Sequence, residues 1–128
     1  MSTAKKKLPA SIVWFNVPAD DIKRAQKFYS GLFGWKIKPF RGMKDFLEID
    51  TGGAEASPNG GLTGRKNGEQ PINYISVESV DNFTAKIEKL GGKICVPKMA
   101  VPNMGYFAIC QDTENNSFGL WQPDANAK

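Results

Sequence analysis

A repeated segment is the sequence feature that most constrains the fold of this chain. Residues 11–35 read SIVWFNVPADDIKRAQKFYSGLFGW, and residues 71–94 read PINYISVESVDNFTAKIEKLGGKI. An offset of sixty residues pairs identical or similar residues: Ile12 with Ile72, Trp14 with Tyr74, Phe15 with Ile75, Val17 with Val77, Asp21 with Asp81 and Ala25 with Ala85. In each copy, alternating apolar residues precede an apolar stripe at helical spacing, which predicts a strand and then an amphipathic helix.

Capping residues and glycines set the predicted limits of the two helices. Asp20 or Asp21 can accept hydrogen bonds from the first turn of one helix, and Ser79 from that of the other. Gly34 is expected to end the first helix and Gly91-Gly92 the second. The predicted strands are 11–17 (ended by Pro18), 35–40, 44–50, 60–65, 72–77, 93–97, 106–111 and 117–122, with a hairpin turn at 112–116. The order is therefore βαβββ, twice.

This duplicated order predicts an α+β protein built from two tandem modules. The first module covers 11–65 and the second 71–122, joined by a polar linker at 66–70, while 1–10 and 123–128 are expected to be tails. Each module has a four-stranded sheet with a helix on one face. At 128 residues the two modules together form one structural domain.

Composition and charge limit the classes of function. The chain carries 17 Lys and Arg against 13 Asp and Glu, a net charge of +4, and Lys5, Lys6 and Lys7 stand in the N-terminal tail. Inside the predicted modules no basic run is interleaved with aromatic residues, which argues against nucleic-acid binding. The sequence has no apolar run of the ~20 residues that a membrane span needs and no signal peptide, so we expect no membrane partner and a cytoplasmic protein.

Residues that serve metal and acid–base sites are scarce. The sequence has no histidine, which removes the commonest general base and the commonest metal ligand together. The two cysteines, Cys95 and Cys110, are expected to stay reduced in the cytoplasm. Cys110 would lack a histidine to activate it as a nucleophile.

Four segments carry a resemblance to a known superfamily. They are VPADDIKRAQKFYSGLFGW at 17–35, VESVDNF at 77–83, LGG at 90–92 and GYFAICQDTENNSFGLWQ at 105–122. In these segments the chain resembles the vicinal oxygen chelate superfamily, which contains glyoxalase I, the bleomycin-resistance proteins and the extradiol dioxygenases. The likeness is to its glyoxalase-like branch. The resemblance implies that the two modules form an eight-stranded, half-open barrel around a cavity, and that the protein is a homodimer.

The sequence departs from the superfamily at the positions of its metal ligands. Members of the superfamily hold a divalent metal with His, Gln or Glu side chains from four strands, since such a cation needs charged or strongly polar donors. The equivalent positions in this chain fall on Trp14, Gly61, Ile72 and Gly119. None of these side chains can ligate a metal, so we expect no metal, no cofactor and neither glyoxalase I nor dioxygenase activity.

Strand alternation separates a helix-facing set of residues from a cavity-facing set. The helix-facing set is apolar: Val13, Phe15, Val17, Leu47, Ile49, Ile75, Val77, Phe118 and Leu120. The cavity-facing set mixes aromatic and polar residues, as small-molecule sites do. From it the predicted ligand-binding residues are Trp14, Asn16, Phe46, Glu48, Tyr74, Ser76 and Trp121, together with Tyr106, whose face is not fixed by the sequence. The alternative is that the aromatic residues fill a narrow half-barrel.

Glu48 is the one predicted catalytic residue. A carboxylate among aromatic side chains is poorly solvated and can act as a general base. It can equally be a rim residue, or be paired with Arg65 or Lys36. Three functions stay open: a protein that binds a small organic molecule, with an aromatic compound as one candidate, without a metal; a metal-independent lyase or isomerase that uses Glu48; and a non-catalytic, dimeric interaction module.

Overall fold

The computed structural model describes residues 10–53 and 57–128, and the elements follow the predicted order. The first module comprises β1 (Ile12–Ala19), α1 (Ile22–Phe33), β2 (Lys36–Pro39), β3 (Phe46–Asp50) and β4 (Asn59–Gly64), with a 3-10 turn at Phe40–Gly42. The second comprises β5 (Ile72–Ser76), α2 (Val80–Lys89), β6 (Lys93–Val101), β7 (Gly105–Gln111) and β8 (Ser117–Pro123). The α+β class and the duplicated βαβββ order are confirmed.

Each module has its own four strands in the same topology. In the first module the strand order is β2-β3-β4-β1, with β1 and β4 parallel and the other neighbours antiparallel. In the second module the order is β5-β8-β7-β6, with β5 and β8 parallel. In each module the helix connects the first strand to the strand at the far edge of the module's sheet. The next two strands each run antiparallel to the one before, so that the last strand lies beside the first.

Sequence signals at both ends fix the limits of α1. The Asp21 side chain accepts a hydrogen bond from the backbone N–H of Arg24 at 3.0 Å, which satisfies one of the free donors of the first turn. At the other end Gly34 is left-handed (φ 72°), and its N–H donates to the carbonyl of Ser30. Both ends lie where the sequence predicts them.

The helix of each module covers an apolar face of its sheet. The first core contains Ala19, Ile37, Leu47, Ile49 and Leu62, with Phe15, Val17, Ile22, Ala25, Tyr29 and Trp35 packed against them. The second contains Val77, Val80, Ala108, Cys110 and Leu120, with Ile75, Phe83, Ile87, Ile94, Tyr106 and Phe118 packed against them. The predicted helix-facing residues are confirmed except Val13. Val13 is 37% exposed, because the pairing of β1 with β4 begins one residue later, at Trp14.

The two cysteines are free thiols in different surroundings. Cys95 is exposed on β6, whereas Cys110 is fully buried on the helix-covered face of β7. Burial, with a smaller contribution from the nearby Cys95, raises the pKa of the Cys110 thiol to about 11. A thiol in that state is a poor nucleophile, so Cys110 belongs to the core and not to a reactive site.

Two strands run further than predicted. β1 continues through Pro18, which lies opposite Thr63, and the ladder resumes beyond it when the N–H of Arg65 donates to the carbonyl of Ala19 at 2.9 Å. The prediction that Pro18 ends the strand is therefore wrong. β6 likewise continues past Pro97, because it is an edge strand and carries two register shifts that accommodate the missing donor.

The predicted C-terminal tail, residues 123–128, is part of the second module. Ala127 is buried, and its carbonyl accepts a hydrogen bond from the N–H of Asn103 at 2.9 Å. The N–H of Asp124 donates to the carbonyl of Met104 at 2.8 Å. The last residues therefore close over the turn between β6 and β7. The predicted N-terminal tail, residues 1–10, lies outside the described residues except for Ala10.

The chain divides into two compact units. One is Val13–Asn73, and the other contains Tyr74–Lys128 together with residues 10–12. The predicted linker, 66–70, belongs to the first unit, where the Glu69 carboxylate accepts hydrogen bonds from the backbone N–H groups of Asn67 and Lys66. These bonds lower the pKa of Glu69. Within 10–53 and 57–128, no helix has both the length and the apolar character to cross a membrane.

Replacing Gly31 or Gly34 with alanine should change the free energy of unfolding in opposite directions. Gly31 lies inside α1 with open space around its Cα, so Gly31→Ala should stabilise the protein by about 0.5–1 kcal/mol. Gly34→Ala should destabilise it by about 1 kcal/mol, because a side chain is strained at the left-handed φ of 72°. Urea unfolding followed by circular dichroism measures both; a shift of the same sign for the two variants would contradict the assigned end of α1.

Candidate functional site

The helix-free face of the first module has an aromatic and polar cluster at its centre. Trp14, Asn16 and Phe46 converge on Gly61, where a Cβ would lie 2.7 Å from the Phe46 ring, 2.8 Å from Asn16 Oδ1 and 3.2 Å from the Trp14 ring. The Trp14 and Phe46 rings meet edge to face with centroids 6.2 Å apart, and Phe40 stacks on Phe46 at 5.1 Å. Three of the predicted ligand-binding residues are thus in mutual contact.

The polar part of this cluster is held in place by one hydrogen bond. The Asn16 side-chain N–H donates to the Thr63 hydroxyl at 3.0 Å, between β1 and β4. Among residues 10–53 and 57–128 this is the side-chain hydrogen bond that the pair makes, so Asn16 Oδ1 can serve as an acceptor and the Thr63 hydroxyl as a donor toward a ligand. Sequence reasoning missed Thr63, because the parallel register of β1 and β4 that brings it to Asn16 is not visible in either strand alone.

Glu48 lies beside the cluster in a half-buried position. It is opposite Gly61 on β4 and opposite Lys38 on β2. The two pairings considered from the sequence do not form: Arg65 pairs with Asp20 at 3.2 Å, and Lys36 is opposite Asp50. Lys38 is therefore the charged residue that faces Glu48 across the ladder, and the sequence did not single it out.

The helix-free face of the second module uses rings in the same way. The Tyr74 ring lies flat on Gly119, so closely that a Cβ at Gly119 would overlap it. The Trp121 ring lies on Gly105, where a Cβ would be 2.7 Å from the nearest ring atom. Ser76, on β5 beside them, is 8% exposed. The space above Gly61 and Gly119 is filled by side chains of the same module.

Tyr106 does not join the other predicted ligand-binding residues. It packs with the core on the helix-covered face of its sheet, opposite Gln122, and Lys98 Nζ lies 4.5 Å from its ring centroid. Phe107 takes the corresponding place on the helix-free face, opposite Trp121. The prediction for Tyr106 is therefore corrected. The turn at 112–116 could have supplied the register, since it pairs Gln111 with Ser117 and so places every second residue of β7.

The residues present do not fit the divalent metal of the superfamily. Gly61 and Gly119, two of the four ligand positions, have neighbouring side chains in the space that a ligating side chain would occupy. Trp14 and Ile72 offer no donor to a hard cation. Among the residues that the structure describes, no group of three or more His, Cys, Asp or Glu side chains is placed to share a metal ion.

Each module also has a groove beside its helix. A groove of about 400 Å³ lies along the N-terminal half of α1, lined by Ala19, Asp20, Asp21, Arg24, Ala25, Phe28, Tyr29 and Arg65. A groove of about 420 Å³ lies along α2, and its lining includes Ser76, Ser79, Phe83 and Lys86. The second groove contains one predicted ligand-binding residue, Ser76.

The fold has known relatives. Residues 11–52 match the family model described as bleomycin resistance protein-like N-terminal. A solved structure of a glyoxalase/bleomycin resistance protein/dioxygenase superfamily member from Vibrio splendidus 12B01 has a TM-score of 0.68 to this chain at 15% identity, covering 90% of this chain and 99% of that chain. The fold is that of the glyoxalase/bleomycin-resistance class.

Two curated proteins are similar in sequence. CFP32 of Mycobacterium tuberculosis (strain CDC 1551 / Oshkosh), which carries a glyoxylase name, is 30% identical over 115 residues, covering 85% of this chain but only 44% of CFP32. A glyoxylase-like domain-containing protein of Didymella fabae is 29% identical over 122 residues, covering 88% of this chain and 94% of that protein. The family-model match, these relatives and the fold support the vicinal oxygen chelate superfamily, as the sequence resemblance predicts.

Placing a methyl group under the Tyr74 ring tests the packing of the second module. Gly119→Ala should destabilise the protein by about 1–3 kcal/mol, because the ring must move off its strand, and should change the near-ultraviolet circular dichroism. Gly64→Ala is the matched control, since its Cβ would meet only Ile22 Cδ1 at 3.9 Å, and its effect should stay within about 0.5 kcal/mol. Equal stability of the two variants would contradict the packing of Tyr74 on Gly119.

The burial of Tyr74 predicts a loss of stability at alkaline pH. Desolvation raises the pKa of Tyr74 above its ordinary value of 10.0, so above that pH the unfolded chain releases this proton before the folded one does. The contribution of Tyr74 to the free energy of unfolding should therefore be fully present below pH 10 and should decrease as the pH rises further. The absorbance at 295 nm, measured as a function of pH, reports the ionisation of tyrosines. Subtracting the titration curve of the Tyr74→Phe variant from that of the native protein isolates the ionisation of Tyr74. A midpoint at or below 10.0 would disprove its burial.

Proposed function

We propose that this chain binds a small, planar organic molecule on the helix-free face of its first module, without a catalytic metal. The observation that carries the proposal is the convergence of Trp14, Asn16 and Phe46 on Gly61 beside a half-buried Glu48. Apolar and aromatic surface with a few placed polar groups is the usual composition of a small-molecule site. Membership of a superfamily that includes bleomycin-resistance proteins agrees with a binding role.

The arrangement of the cluster favours a flat ligand that carries a hydroxyl or carbonyl group. The rings of Trp14 and Phe46 are partly exposed and close on Gly61, so a ligand stacks on their outer surfaces. Asn16 Oδ1 offers an acceptor, and the hydroxyl of Thr63 offers a donor. A ligand with adjacent polar groups can use both, while the carboxylate of Glu48 disfavours an anion in this place.

A metal-independent lyase or isomerase is the second candidate function, and the position of Lys38 favours it. A substrate with an acidic C–H next to a carbonyl would give that proton to the Glu48 carboxylate, and its electron pair would delocalise onto the carbonyl oxygen. Lys38 is opposite Glu48 across the ladder, and its ammonium group would stabilise the developing oxyanion. The proton then returns to carbon, or a leaving group departs.

Binding can be tested with a planar probe and its saturated counterpart. At a concentration about 100 times its dissociation constant, 2-naphthol should stabilise the protein by ~2.7 kcal/mol in a thermal-shift assay. Decahydro-2-naphthol has the same hydroxyl group but no flat ring and should bind at least tenfold more weakly. Trp14→Leu should weaken 2-naphthol binding about tenfold, and Phe28→Leu, a change at an exposed ring on α1, should not.

Further arms of this experiment separate binding from catalysis. If neither compound stabilises the protein, or if Trp14→Leu and Phe28→Leu behave alike, the proposed binding site is wrong. With any substrate found by screening small carbonyl compounds, Glu48→Gln should keep binding and abolish turnover; retained turnover would remove the catalytic alternative. Elemental analysis of the same preparations should find no stoichiometric zinc, nickel or iron, and a metal at unit occupancy would overturn the metal-free proposal.

A further inference from the structure

The turn between β2 and β3 holds an arginine in a backbone conformation that arginine rarely adopts. Arg41, in the 3-10 turn Phe40–Gly42, has φ 51° and ψ 35°, in the left-handed region. In the part of the chain that the structure describes, the other two non-glycine residues with positive φ are Asn103 and Asn115. Asparagine tolerates this region better than residues with longer side chains. The arginine at position 41 therefore costs folding free energy that asparagine or glycine would not.

The Arg41 side chain lies at one end of the aromatic cluster in the proposed binding site. Its guanidinium carbon, Cζ, is 5.5 Å from the centroid of the Phe40 ring. The Phe40 ring stacks on Phe46 with 5.1 Å between the centroids, and Phe46 meets Trp14 edge to face. The left-handed turn thus places a permanent positive charge beside the rings on which a planar ligand would stack.

The ion pairs of the described residues do not use Arg41. They join Arg24 to Asp21, Arg65 to Asp20 and Lys98 to Asp81. Arg41 is exposed, and an exposed cation–π contact such as the one with Phe40 contributes little to stability. Strained backbone positions are concentrated at sites that hold ligands, where the side chain has a role in binding. The guanidinium of Arg41 offers N–H donors in a planar fork, which matches the two oxygens of a carboxylate.

Charge is distributed unevenly over the proposed binding site. Glu48 and Asn16 lie in one row across the sheet, on either side of Gly61. The Asn16 amide is neutral and the Glu48 carboxylate is negative, so this part of the site disfavours a negative charge on a ligand. The Phe40 end carries the guanidinium of Arg41, which attracts one. A ligand that suits both parts is neutral and polar at one end and anionic at the other.

We propose that Arg41 determines the class of ligand: it binds the carboxylate of a planar aromatic acid whose rings lie on Phe40 and Phe46. This inference rests on the proposed function and gives its ligand a second polar group. The guanidinium can form two parallel N–H···O bonds with a carboxylate. A carboxylate carries less negative charge than a phosphate monoester, so Glu48 on the same face repels it less. The backbone strain at Arg41 is then the consequence of holding the guanidinium at this point.

Isothermal titration calorimetry with two matched compounds tests this assignment. 6-Hydroxy-2-naphthoate has the rings and the hydroxyl group of 2-naphthol and adds a carboxylate at the far end. The native protein should bind this acid about tenfold more tightly than 2-naphthol, because a charge-assisted pair is added. Arg41→Gln should remove that difference and leave 2-naphthol binding unchanged. Lys23→Gln, which removes the same charge from an exposed residue of α1, should change neither affinity.

The two compounds also distinguish a failure of this inference from a failure of the proposed function. If neither compound binds, both are wrong. If 2-naphthol binds but the acid binds no more tightly, or if Arg41→Gln weakens both compounds alike, the binding site stands and the role of Arg41 is overturned. The role is also overturned if Lys38→Gln removes the preference for the acid and Arg41→Gln does not.

A measurement of stability separates a role in binding from a role in folding. Arg41→Asn should raise the midpoint of urea unfolding, because asparagine suits the left-handed region that position 41 occupies. The same variant should lose the preference for 6-hydroxy-2-naphthoate over 2-naphthol. A lower midpoint would show that the arginine stabilises the turn, and it would overturn the inference that the side chain is present for the ligand.

Discussion

Aromatic rings that lie on glycines of a neighbouring strand are the packing interaction on which both sheet faces depend. It recurs in four places: Tyr74 on Gly119, Trp121 on Gly105, Trp14 with Phe46 on Gly61, and Phe15 on Gly60. A Cβ at any of these glycines would overlap the ring, and the ring covers the strand backbone that the glycine leaves bare. At these four places the ring and the glycine are one feature, since neither is accommodated without the other.

This packing gives the two modules different surfaces although they share a topology. In the first module the rings leave polar groups beside them: the hydrogen-bonded Asn16 and Thr63, and Glu48 opposite Lys38. In the second module the corresponding face is largely apolar, with Phe107 and Ile109 opposite Trp121 and Gly119. Charge and hydrogen-bonding capacity are thus concentrated in the first module, which is why its face carries the proposed site.

The sequence predicted what depends on local physics and missed what depends on register. Helix limits follow from Asp21, Ser79 and Gly34, because capping is decided within one turn. Strand alternation separated the two faces for the same reason. The side of β7 on which Tyr106 lies, the contact of Asn16 with Thr63 and the continuation of β1 beyond Pro18 all require the pairing of strands distant in sequence. The hairpin turn at 112–116 would have been enough to predict the face of β7 on which Tyr106 lies. No such turn joins β1 to β4, so the register of that parallel pair could not be predicted.

The lack of ligating side chains at Gly61 and Gly119 and the packing of the rings are coupled through the same glycines. Gly61 and Gly119 stand where relatives with a metal need a ligating side chain, and in this chain those places are filled by Trp14, Phe46 and Tyr74. Restoring a glutamate at Gly119 alone would drive it into the Tyr74 ring and would not recreate a metal site. A ligating side chain at either position would need the ring and the glycine to change together. This coupling follows from packing, because each ring occupies the space that a larger residue at its glycine would need.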